Sequence, residues 1–118
     1  MTNNEILEEL QKLNVDVEIS LERFLDNTEM YIGFIKEFPS DKSIYTIENY
    51  LDEEKWEQAF EIAHTLKGVT GNLGMTTLFE DFSKMCVAYR KNDYNEMKTT
   101  YKKIQNEYAD MCKHIAQF

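Results

Sequence analysis

Proline and glycine are scarce in this chain: one proline and four glycines stand among 118 residues. So few breakers exclude a turn-rich β fold and leave long stretches free to run as helix. Cations are outnumbered, with 13 Lys and Arg against 22 Asp and Glu and a formal net charge of −9. That balance excludes nucleic acid as a partner, since neutralising phosphates takes clustered Lys and Arg. It argues equally against an anionic membrane surface. No apolar run approaches the ~18 residues of a membrane span. The acidic start MTNNEILEEL lacks the basic-then-apolar layout of a signal peptide. Cys86 and Cys112 fit no CxxC or metal spacing, and they read as buried thiols in a reducing compartment rather than a disulfide. A cytoplasmic protein is expected.

What is present is ordinary for a globular domain, 42% hydrophobic and 30% charged. The length suits one domain, residues 1–118. Asn3 or Asn4 can cap a first helix through Leu13, with Ile6, Leu7, Leu10 and Leu13 as its stripe. Asp16 can cap a short second helix carrying Ile19, Leu21, Phe24 and Leu25. Asp26-Asn27-Thr28 starts a longer one with Met30, Tyr31, Phe34, Ile35 and Phe38 inward. Pro39 interrupts it, and the pattern resumes with Ile44, Ile47, Tyr50 and Leu51. A helix over 54–73 ends at Gly74. Thr76 or Thr77 caps another through Arg90, with Leu78, Phe82, Met85 and Tyr89 inward. The last, over 94–116, carries Met97, Tyr101, Ile104, Tyr108, Met111 and Ile115. Short turns between such helices favour antiparallel neighbours. The expected fold is therefore all-α: an antiparallel up-down four-helix bundle over about 28–117, with additional short N-terminal helices.

The segment AHTLKGVTGNLG, residues 63–74, breaks the pattern of scarcity. Three of the four glycines, Gly68, Gly71 and Gly74, fall within it. Glycine inside a helix costs about 1 kcal/mol relative to alanine, so their presence needs a reason. At ~100° per residue, Ala59, Ile62, Leu66, Val69 and Leu73 cluster within roughly 80° as the buried side. His64, Gly68 and Gly71 share a different side, and Lys67 lies on the shoulder between the two. From Ile62 to Phe79 the only formal charge is Lys67. A bare surface with one imidazole and one ammonium suits a docking macromolecule and an anion held beside a nucleophilic nitrogen. Gly68 and Gly71 then supply clearance.

Other chemistry finds less support. A lone histidine on a helix can be merely solvated, and glycines can serve close helix packing. Glu61-x-x-His64 matches the unit of di-iron bundles, but the only other histidine, His114, has Met111 at the matching offset. Cys–His or Ser–His catalysis has no arrangement, and the phosphate-binding pattern G-x-x-x-x-G-K is absent. No cofactor or metal is expected on this chain.

Ala63-His64-Thr65-Leu66-Lys67-Gly68, followed by Gly71-Asn72-Leu73-Gly74, resembles the signature of histidine-containing phosphotransfer (HPt) domains. Val15-Asp16-Val17 through Leu21-Glu22-Arg23-Phe24-Leu25 is similar to the family's N-terminal segment, so the resemblance covers nearly the whole chain. It implies an antiparallel four-helix bundle and a phosphocarrier without kinase activity of its own. His64 would be the phosphoacceptor, Lys67 the charge support for the phosphoryl group, and Gly68 the space for it. The implied partners are response-regulator receiver domains and hybrid sensor histidine kinases, with Mg²⁺ expected on the receiver and this chain a monomer. One departure stands out. Cys86, 22 residues after His64, occupies a position where the family often carries Gln or Glu to orient the imidazole, and a thiol is a poor partner. Asn14 stands where glycine is common. The departure at Cys86 keeps open a second reading, an HPt-like interaction module that binds signalling proteins without carrying phosphate. A phosphoacceptor segment of a larger kinase is disfavoured, since the chain starts with Met and ends inside its last helix.

Overall fold

The computed structural model describes residues 1–118, and all of its regular structure is helical. In chain order the helices are α1 (Asn3–Lys12), α2 (Val17–Arg23), α3 (Thr28–Glu37), α4 (Ser43–Asp52), α5 (Trp56–Asn72), α6 (Thr76–Arg90) and α7 (Tyr94–Ile115), with a 3₁₀ turn at Phe38–Ser40. Pro39 sits inside that turn and separates α3 from α4, as its missing N–H requires. Asp16, Asn27 and Asp93 cap α2, α3 and α7, accepting from the amides of Ile19, Met30 and Glu96. Two expected caps are corrected. The cap of α1 is Thr2, not Asn3 or Asn4. Its hydroxyl accepts from the Glu5 amide at 3.2 Å while the Glu5 carboxylate accepts from the Thr2 amide at 3.0 Å, a reciprocal pair that asparagine at 3 or 4 does not form here. Neither Thr76 nor Thr77 caps α6, which starts after Met75 without a side-chain cap. The Thr77 hydroxyl is instead engaged by the Asn14 amide at 3.1 Å.

Consecutive helices pack on one another from α4 to α7, while α1 and α2 lie against α3. Their apolar faces meet in one continuous core. Three tyrosines tie it together through buried or half-buried hydroxyls: Tyr31 donates to Leu73 O at 2.8 Å, Tyr101 to Ile44 O at 2.9 Å and Tyr108 to Asp41 O at 2.8 Å. Trp56 at the start of α5 stacks on Tyr94 at the start of α7, with centroids 4.5 Å apart. These contacts seat α5, the helix that carries the motif, at both ends.

Several expected core residues lie outside. Ile19, Leu25, Met30 and Phe34 are exposed, Leu25 at 89%. Leu25 occupies a left-handed turn position (φ 54°) between α2 and α3, which directs its side chain away from both helices. In α3 the inward set is Tyr31, Ile32 and Ile35, continued by Phe38 in the 3₁₀ turn, because this short helix has only one covered face. The buried face of α5 is also turned: Ala59, Ala63, Leu66, Thr70 and Leu73 are buried, while Ile62 and Val69 stand half-buried at its border. Small residues win the centre because α4 and α6 both press against this helix. The Thr70 hydroxyl is satisfied by donating to Leu66 O at 2.8 Å.

The turn after α5 is locked to the N-terminal segment. Gly74 has φ +75°. Met75 N–H reaches Thr70 O at 2.9 Å and Gly74 N–H reaches Gly71 O at 3.2 Å, a Schellman closure with glycine at its left-handed position. Asp16 N–H then donates to Gly74 O at 2.8 Å, and Val15 pairs with Met75 as an isolated antiparallel bridge.

One polar cluster lies between α6 and α7. Lys103 Nζ stands 3.1 Å from Asp81 Oδ1 and 3.5 Å from Glu107 Oε1. Asp81 Oδ2 and Glu107 Oε2 are buried without another partner. Burial, then the neighbouring Asp81 carboxylate, push Glu107 up to about 7, against the pull of Lys103. A carboxyl raised in the folded state stabilises fully below its unfolded value near 4.5 and loses that contribution as pH rises through 7. Glu107→Gln, which can donate permanently to Asp81, is expected to flatten this fall and add about 1 kcal/mol at pH 8. Thermal melts at pH 5 and pH 8 check it; a variant with the wild-type pH slope contradicts the raised Glu107 carboxyl.

Candidate functional site

His64 sits in the middle of α5 with its side chain exposed. Its imidazole takes part in no hydrogen bond or ion pair. One turn along, Lys67 is half-buried and forms no ion pair, while Gly68 is exposed. The structure thus brings His64, Lys67 and Gly68 to one stretch of helix surface. An open nitrogen and an unneutralised ammonium are what an incoming anion needs.

The three glycines of the motif differ in their surroundings. A Cβ built on Gly68 meets nothing within 4 Å, so the space beside His64 is open to solvent. A Cβ on Gly71 would lie 2.9 Å from Phe79 Cδ1. The room at Gly71 is therefore filled by the chain's own α6 ring, and the expected clearance at this position serves helix packing. Gly74 closes the helix. Arg23 of α2 reaches across, its Nη1 donating to Gly71 O at 2.6 Å. Lys67, Gly68 and Gly71 line a depression of about 440 Å³ together with Ile19, Arg23 and Phe79. Its lining does not include His64, one turn earlier on the helix.

On the other flank the imidazole has aromatic company. The Phe60 ring lies 5.7 Å from that of His64, tilted by 44°. Phe60 in turn stacks on Tyr89 of α6, centroids 4.5 Å apart and planes within 19°. The Arg90 guanidinium sits 5.2 Å from the Phe60 centroid. Cys86 is 1% exposed. Burial pushes its thiol up, partly opposed by the charges of Lys67 and Arg90, so it stays protonated at neutral pH. No hydrogen bond joins it to His64. The sequence pattern does not single out Phe60, Arg90 or Arg23, and it gives Tyr89 only as core. The i, i+4 spacing of Phe60 and His64 was the one signal available for the first of these.

No group of three or more His, Cys, Asp or Glu side chains is arranged to hold a metal ion. No helix is long and apolar enough to cross a membrane. Among family models, the one described as Hpt domain matches residues 20–92, from the middle of α2 through the end of α6. No curated protein and no solved structure gives a match.

Proposed function

Because the chain belongs to the Hpt domain family, we propose that it accepts a phosphoryl group on His64 and relays it between receiver-domain aspartates of a two-component phosphorelay. Hpt domains are phosphocarriers rather than enzymes and work with receiver domains and histidine kinases. The observation that carries the assignment to His64 is its open imidazole beside an unpaired Lys67 and an unfilled space at Gly68. In this reading residues 1–118 form one domain. Helices α4–α7 make its antiparallel up-down bundle, α3 extends the bundle past Pro39, and α1 and α2 cover one end. The sequential packing of α4, α5, α6 and α7 supports that arrangement.

The chemistry follows from the parts. A neutral imidazole approaches the aspartyl phosphate of a receiver in line, and its outer nitrogen, Nε2, donates a lone pair to phosphorus. The bond from phosphorus to the aspartyl oxygen breaks, and the carboxylate leaves with that electron pair. The proton already on Nδ1 stays with the ring, whose positive charge offsets part of the phosphoryl charge. Lys67 supplies a second positive charge at one-turn spacing. Such transfers ask mainly for positioning and for neutralisation of spread negative charge. In this reading the chain carries the phosphoryl group without kinase activity of its own. Mg²⁺ belongs to the receiver, and the cytoplasm is the compartment this relay implies.

Two acidic proteins repel at long range, so contact depends on the stretch from Ile62 to Phe79, where Lys67 is the only charge. The test is incubation with a receiver domain phosphorylated on its aspartate. The chain is expected to gain acid-labile, alkali-stable phosphate. If it gains none yet still binds the receiver, the second reading, an HPt-like module without phosphate, replaces this one; the missing hydrogen bond from Cys86 is the observation that favours it. Gly68→Gln separates access from folding. Glutamine is the better helix former and meets nothing at its Cβ, so melting should rise slightly while transfer falls about 100-fold. Transfer at the wild-type rate would contradict the role of open space.

A further inference from the structure

We propose that Phe60 is the positioning residue of His64: an aromatic contact, clamped from α6, sets the imidazole rotamer where Cys86 provides no hydrogen bond. The inference rests on His64 being the phosphoacceptor for its consequence in transfer, but the contact itself does not.

The geometry begins with the helix. Residues 60 and 64 lie one turn apart on the same face of α5. Helical side chains lean toward the N-terminus, so the imidazole lies over the turn that holds Phe60. The separation, 5.7 Å with a 44° tilt, falls within the range of attractive aromatic pairs. A mobile floor would position nothing. This one is held by two residues of another helix: Tyr89 stacks against Phe60 at 4.5 Å, and the Arg90 guanidinium lies over its ring at 5.2 Å. Phe60 and Tyr89 also pack against the main core, which fixes them relative to α5 and α6 together.

Cys86 makes such a device necessary. Its thiol is buried and protonated, and no other side chain bonds the ring. An imidazole without a partner samples several rotamers, and in-line attack is productive from few of them. An aromatic floor restricts the rotamer yet leaves Nε2 unencumbered. It does not choose a tautomer, which separates it from a carboxamide acting on Nδ1.

The test combines NMR of the free protein with phosphotransfer. In the wild type, His64 is expected to show one large and one small Hα–Hβ coupling, and ring protons shifted by the Phe60 ring current. Phe60→Leu should average the couplings, remove the shift and slow phosphate uptake about tenfold, while Phe60→Tyr restores all three. Wild-type couplings in the leucine variant would overturn the proposal. So would averaged couplings with an unchanged rate, or equal losses in the leucine and tyrosine variants. If Phe60→Leu does not fold, Arg90→Gln, on the exposed surface, decides the matter. It should partly average the couplings, and no change there is a refutation. Should the wild type take up no phosphate at all, the phosphocarrier reading fails, and the couplings alone still decide whether Phe60 positions the ring.

Discussion

Replacement of His64 by glutamine is expected to bring phosphate uptake from a phosphorylated receiver down to background, a loss of at least about 1,000-fold, because it removes the only nitrogen nucleophile of the site. The same change should leave the fold alone. The His64 side chain is exposed and makes no hydrogen bond, so what is lost is its contact with Phe60. Surface substitutions of this kind stay within about 0.5 kcal/mol. Circular dichroism and melting should therefore match the wild type. The other histidine, His114, lies near the end of α7 with Nε2 3.8 Å from Asp110, and His114→Gln serves as the control that keeps full uptake. Uptake by the His64 variant equal to that of the wild type would remove the phosphoacceptor from this helix.

Gly74→Ala is expected to be the most damaging single methyl in the chain. The residue sits at φ +75°, a conformation that costs other L-residues about 1–2 kcal/mol. Its new Cβ would also overlap Ser20 Oγ and lie 2.5 Å from the Asp16 carbonyl oxygen. Backbone cannot step aside as a side-chain end can, and overpacking of this kind adds about 1–3 kcal/mol. The pair of effects approaches 3–4 kcal/mol, or a fall in melting temperature of about 15 °C for a domain of this size. The bond from Asp16 N–H to Gly74 O and the Val15–Met75 bridge would loosen with it. A denaturation midpoint within a few degrees of the wild type would show that the turn relaxes, and would refute the lock between the α5–α6 turn and the start of α2. Gly68→Gln provides the contrast, because the same loss of a glycine there meets open space.

Helix existence was legible wherever an apolar stripe was long and its neighbours few, as in α1 and α7. There Ile6, Leu10, Met97, Tyr101, Ile104, Tyr108 and Ile115 are buried as the spacing predicts. It was less legible in α5, where the stripe of large residues marks the border and not the centre. Ala63 and Thr70 are buried because they are small enough to sit between two helices, and a hydrophobicity pattern does not weigh size. In α2 and α3 the pattern overcounts, since Ile19, Met30 and Phe34 are apolar residues left exposed outside the core. The site divides in the same way. His64, Lys67 and Gly68 needed only helical spacing to be grouped. The job of Gly71 depended on where α6 puts Phe79, and the clamp on Phe60 on where it puts Tyr89 and Arg90. Those are tertiary facts without a local signature.

The scarcity of charge between Ile62 and Phe79 bears on how a partner could tell the two forms of this protein apart. A phosphoryl group brings close to two negative charges. Spread over a molecule already at −9, that increment would be a small change in total. Set beside the unpaired Lys67, it is a large change in the local field within a Debye length, about 8 Å at physiological salt. Loading would then be announced by the field at one spot, with no helix required to move.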